Sequence, residues 1–200
     1  MDLPSDLLRQ CAKLCHDVYD PNERDFLYDD SVEGYRIIAM EGTSKKSDWF
    51  TNLKFWFKND DCHRGFKANA ERTLTELIGA GFDLPKNRRL VVTGHSLGGA
   101  SATCLADRLK ERYPDLIIVT FGSPRPGGSD FKKRMENIQH YRFVHGNDVV
   151  PTTPPRLNGF RHTCPELYLE DADDKPFDGV EDHNIGDYGT ALSKWLSKSV

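Results

Sequence analysis

The stretch RLVVTGHSLGGASATCLADRLKERY, residues 89–113, constrains the fold of this chain more than any other. It opens as a β-branched apolar run of strand type, and from Leu97 onward apolar and small residues return at helical spacing. Strand passes into helix through Gly94-His95-Ser96-Leu97-Gly98 alone. A turn this tight belongs to a sheet with helices laid on it, and Gly98, Gly99, Ala100, Ser101 and Ala102 are small enough to let the helix lie close.

The rest of the chain repeats the alternation. YRIIAMEG (35–42) is a short apolar run ending in glycine, and 64–81 has helical spacing with a closing glycine. Residues 115–122 read as a strand, 129–137 as a short helix, 141–146 and PELYLE (165–170) as strands, and 188–199 as a closing helix. TNLKFWF (51–57) alternates and reads as a strand or the end of a loop. Cys11 and Cys15 fall on a helix opened by Ser5. Near-continuous apolar strands taking turns with helices predict an α/β fold with a mostly parallel central sheet covered on both faces. The length of 200 residues suits one domain spanning 1–200, with 1–34 as a helical N-terminal extension. The acidic run 171–182 reads as a solvated loop.

Charge excludes some functions. Lys+Arg 27 against Asp+Glu 31, a net charge of -4, leaves no basic stripe for nucleic acid. No stretch approaches the roughly 18 apolar residues of a membrane span, and the N-terminus lacks the charged and apolar regions of a leader, so a cytoplasmic protein is expected. Five cysteines, an odd number, fit free thiols in a reducing compartment. Cys11, Cys15 and His16 could form half of a metal site, but tetrahedral zinc needs four ligands and only the distant Cys62-His63 pair remains. No metal or organic cofactor is expected.

Ser96 sits in the pattern G-x-S-x-G between a strand and a helix, where a serine is held on a strained turn as a nucleophile. The turn needs clearance that side chains at Gly94 and Gly98 would obstruct, and the helix starting at Leu97 aims its N-terminal N–H groups at a developing oxyanion. Serine needs a base, oriented in turn by an acid, and with this turn the order is Ser, acid, His. His140 and His145 precede or adjoin the best acid, and His162 adjoins a strand as a structural histidine would. His183, in the polar loop EDHNIGDY, is the expected base. Asp148, just past the C-terminal end of the strand YRFVHG, is the expected acid, with Asp182 its rival. Asp130, Asp171, Asp173, Asp174 and Asp178 are accounted for by helix capping or solvation.

From about residue 35 to about residue 192 the chain resembles the class 3, fungal-type lipase family of α/β-hydrolases. The resemblance is carried by IAMEGTSKKSDWFTNL, CHRGF, VTGHSLGGASA, VTFGSPRPG, YRFVHGNDVVPTTPP and DHNIGDY, in that order. It implies Ser96, Asp148 and His183 as the triad, and Thr43 with the Leu97 backbone N–H as oxyanion donors. Glu41 stands where the family usually shows arginine. Trp49, Phe50 and His95 are the expected substrate contacts. The implied activity is hydrolysis of carboxylic esters, acylglycerols foremost, through an acyl-enzyme. A phospholipase, thioesterase or serine peptidase of the same fold, and a non-catalytic lipid-binding protein, are the alternatives. The implied partners are a lipid or small ester and transient contact with a lipid interface, with no nucleic acid and no transmembrane segment; no oligomeric state is assigned.

Overall fold

Strand residues alternate between two faces, so a strand apolar at every position must be covered on both sides. In the computed structural model, which describes residues 3–20, 25–42, 61–83, 87–171 and 179–198, this alternation divides the core in two. Ile37, Ala39, Val91, Ile117, Val119, Phe121 and Phe143 point to one face. Ile38, Met40, Leu90, Val92 and Ile118 point to the other.

The strands form one sheet in sequence order. They are β1 (Phe26–Asp29), β2 (Tyr35–Met40), β3 (Arg89–His95), β4 (Ile117–Phe121), β5 (Gln139–His145) and β6 (Glu166–Leu169). β1 lies antiparallel to β2, and every later neighbour is parallel. Parallel neighbours in sequence order need crossovers, and one handedness of crossover sends all of them to the same face. Accordingly α2 (Arg64–Gly79), α3 (Leu97–Leu109) and α4 (Ser129–Arg134) share one side, where Phe66, Ala70, Ala102, Leu105 and Phe131 cover the second set of strand residues.

The opposite face falls to the chain's two end helices. α1 (Ser5–Asp17) and α5 (Ile185–Lys198) lie over it through Leu7, Leu8, Cys11, Cys15, Tyr188, Leu192 and Leu196. The N-terminal segment expected as a helical extension is therefore partly core: α1 is half of a helical layer and β1 is a strand of the sheet. FLYD was missed as a strand because it is four residues long and only Phe26 is buried, so it carries no clear period. TNLKFWF lies outside the described residues.

The cysteines also differ from expectation. Cys62 and Cys104 form a disulfide joining the segment before α2 to the middle of α3, while Cys11 and Cys15 are buried free thiols and Cys164 is a partly buried one. An odd total permits a pair, and the two partners, 42 residues apart, meet only because α2 packs on α3.

Candidate active site

β3 ends at His95 and α3 begins at Leu97, leaving Ser96 to turn the chain. Its φ of 58° and ψ of -131° make it the one non-glycine residue with positive φ among those described. Such a conformation costs on the order of 1–3 kcal/mol and persists only where the surroundings enforce it. They do. A Cβ on Gly94 would collide with the Gly98 backbone, and one on Gly98 would collide with the Met40 carbonyl at the end of β2. The Ser96 N–H is held by the Phe121 carbonyl of β4 at 3.0 Å. Leu97, as the first residue of α3, has no acceptor for its N–H within the helix, so that donor and the helix dipole stand beside the serine.

His183 and Asp148 arrive from two loops at the same edge of the sheet. His183 Nε2 lies 2.8 Å from Ser96 Oγ, and His183 Nδ1 lies 2.8 Å from Asp148 Oδ2. A carboxylate can only accept, which assigns the proton to Nδ1 and leaves Nε2 as the acceptor for the serine hydroxyl. Asp148 is further held by the Val150 N–H on Oδ1 at 2.8 Å and by the Tyr188 hydroxyl on Oδ2 at 2.6 Å. Tyr188 comes from α5 and is buried; burial first, and then the Asp148 charge, push its pKa well above the ordinary tyrosine value, so it stays a donor. The three residues are 8%, 4% and 8% exposed, dry enough for their electrostatics to act at full strength. Gly122, after β4, has φ +56° and faces the pair so closely that a Cβ there would stand 2.8 Å from Asp148 Oδ2.

The other candidates fall elsewhere. Asp182, the rival acid, turns away from His183 and accepts the Asn147 N–H at 2.6 Å, clasping the acid loop to the histidine loop. His145 meets the Asp182 carbonyl at 3.3 Å, His162 donates from Nε2 to the Pro151 carbonyl at 2.8 Å, and His140 bridges the Thr120 and Thr163 hydroxyls. His95 was expected to touch substrate. Instead it is buried with Nδ1 3.0 Å from the Tyr19 hydroxyl and Nε2 3.0 Å from the His183 carbonyl. Strand alternation is the reason, since His95 shares the face of Val91 and Thr93 that α1 covers. Thr43, Trp49 and Phe50 lie outside the described residues. Tyr188 and Tyr19 were not singled out, and no spacing would have found them, because Tyr188 reaches the site from α5 and Tyr19 from the turn after α1, far away in the chain.

Beside Leu97 a pocket of about 600 Å³ is lined by Asp25, Glu41, Gly42, Asn69 and Arg72. Burial first, and then the neighbouring Asp25 charge, raise the Glu41 pKa above the usual carboxylate value. Arg72 is bound to Asp25 at 2.6 Å.

A mostly parallel sheet whose third strand ends in a strained serine, with a histidine from a later loop on the serine and an aspartate from another loop on the histidine, defines an α/β-hydrolase. The model of the family described as Lipase (class 3) matches residues 37–158, and the chain belongs to that family. Secreted mono- and diacylglycerol lipase 1 of Fusarium solani is 34% identical over 145 residues, 67% of this chain and 44% of that protein. Secreted mono- and diacylglycerol lipase A of Penicillium camembertii is 32% identical over 145 residues, 66% of this chain and 47% of that protein. The chain thus spans less than half the length of these relatives. In fold it is similar to the Rhizomucor miehei lipase in its propeptide complex, with a TM-score of 0.73 at 22% identity over 90% of this chain and 80% of that one. The lipase of Rhizopus microsporus var. chinensis gives 0.74 at 21%, over 90% and 85%. Relatives named as secreted overturn the cytoplasmic expectation, and the Cys62–Cys104 disulfide runs against it too.

Proposed function

We propose that this chain is a carboxylic ester hydrolase that acts on acylglycerols in an extracellular setting, with Ser96 as nucleophile, His183 as base and Asp148 as acid. One observation carries the reading: an unbroken hydrogen-bonded line from Ser96 Oγ through His183 to Asp148, at 2.8 and 2.8 Å, starting from a serine in an enforced conformation. Ser96 attacks the ester carbonyl as His183 Nε2 takes its proton, and Asp148 stabilises the imidazolium. The Leu97 N–H and, by family resemblance, Thr43 receive the oxyanion. His183 then protonates the leaving alcohol, and water, activated by the same histidine, releases the acid. Relatives named as mono- and diacylglycerol lipases support acylglycerols as the substrate class.

A fluorophosphonate probe should label the chain on Ser96, and Ser96→Ala should abolish labelling and lower kcat on a monoacylglycerol by about 10⁴ or more. Ordinary turnover by Ser96→Ala would refute the assignment. Preference for thioesters or amides in a substrate panel would redirect it to the alternatives within the fold.

A further inference from the structure

Neither ring nitrogen of His95 is available to substrate, yet the residue stands between two parts of the proposed site. Its Nε2 faces the His183 backbone carbonyl at 3.0 Å. A carbonyl only accepts, so Nε2 carries the proton and the neutral ring must accept at Nδ1. The Tyr19 hydroxyl, 3.0 Å from Nδ1, is therefore the donor. The same hydroxyl lies against the backbone of Gly42. Space there is already used, since a Cβ on Gly42 would collide with the Tyr19 hydroxyl and come within 3.0 Å of the His95 carbonyl. Each bond fixes the direction of the next, giving a one-way line from the Tyr19 hydroxyl to His95 and on to the His183 carbonyl.

We propose that Tyr19 and His95 are positioning residues that fix the loop entering the oxyanion side of the site and the loop carrying the base relative to each other. The proposal rests on the reading of Ser96, His183 and Asp148 as the catalytic line. Gly42 immediately precedes Thr43, so an anchor on Glu41 and Gly42 sets where the chain enters the oxyanion side of the site. Two contacts supply that anchor: the Glu41 N–H bonded to the Asp25 carbonyl at 2.9 Å, and the Gly42 backbone packed against the Tyr19 hydroxyl. At the other end, the His95 bond holds the His183 backbone while Asp148 holds its ring. The ring of His95 also packs on that of His183, with centroids 4.5 Å apart. Tyr19 lies just beyond α1, so its hydroxyl ties the end of that helix to the site.

The test measures kcat and KM on a soluble short-chain ester for wild type, Tyr19→Phe, His95→Leu, the double variant and His95→Gln, each with a thermal melt. Wild-type turnover that disappears in Ser96→Ala establishes the underlying reading; its absence would be a failure of that reading and not of this one. With turnover in hand, Tyr19→Phe keeps the ring and removes only the hydroxyl. It should lower kcat by roughly ten- to a hundred-fold, the cost of misplacing reacting groups by a fraction of an ångström to an ångström, with KM within about two-fold and a melting temperature near that of wild type. The double variant should be no worse than His95→Leu alone, because both break one line. His95→Gln should recover most of the His95→Leu loss, since a carboxamide can donate to the His183 carbonyl and accept from Tyr19. Tyr19→Phe with kcat within two-fold of wild type, a loss that follows the folded fraction, or additive single losses would each overturn the proposal.

Discussion

Reducing the Cys62–Cys104 bond, or replacing both residues with alanine, should destabilise the fold by an amount set chiefly by the loop it closes. With the partners 42 positions apart in the chain, the loss of unfolded-chain entropy corresponds to about 4 kcal/mol. A chain of 200 residues has an unfolding entropy of about 0.4 kcal/mol per kelvin near its midpoint, so the melting temperature should fall by about 10 °C. The loop contains α2 and β3 and the disulfide grips α3 at its centre, so what is lost is cohesion on one face of the sheet and not a triad contact. The assay is a thermal melt of the wild type with and without reductant and of the double alanine variant, alongside a thiol count in denaturant. Cys11, Cys15 and Cys164 should titrate before reduction, and all five cysteines after it. Activity per folded molecule should stay close to wild type. Five reactive thiols in protein purified without reductant, or a midpoint change below about 2 °C, would refute the reasoning.

Asp148→Asn should fold and lose most of its kcat, because an amide cannot stabilise the imidazolium of His183; Asp182→Asn, which keeps an oxygen for the Asn147 N–H, should lose far less, and the reverse order in steady-state assays would reassign the acid. Tyr188→Phe removes the 2.6 Å bond to Asp148 and should lower kcat by about ten-fold without loss of fold, as read from kcat beside a near-ultraviolet circular dichroism spectrum. Burial, and then the Arg142 charge, hold the His140 pKa down to about 3, against about 6.5 in the unfolded chain. The unfolded state therefore binds the extra proton, so this contribution is present above pH 6.5 and is lost as pH falls toward 3; between pH 7 and 5 it should cost about 2 kcal/mol, seen as a lower urea midpoint that His140→Gln flattens.

Much of this protein was legible in its residues because the signals are local. The β-branched run before Gly94, the small residues after Ser96 and the apolar strands at 35–42 and 115–122 report period and clearance within a single element, and sequence alone could assign a parallel sheet covered by helices with a serine at a strand end. Asp148 and His183, the proposed acid and base, could be picked out for a related reason, as polar residues in loops at the one sheet edge where such groups collect. What only the tertiary structure decided is who stands beside them. Crossovers of one hand placed α2, α3 and α4 on the same face, which left the other to the chain's ends and so brought Tyr19 and Tyr188 to the site. The same packing closed Cys62 on Cys104, and strand alternation turned His95 from the substrate side toward α1. These are contacts between residues far apart in the chain, and their free energy belongs to the assembled layers, so no window of sequence contains it.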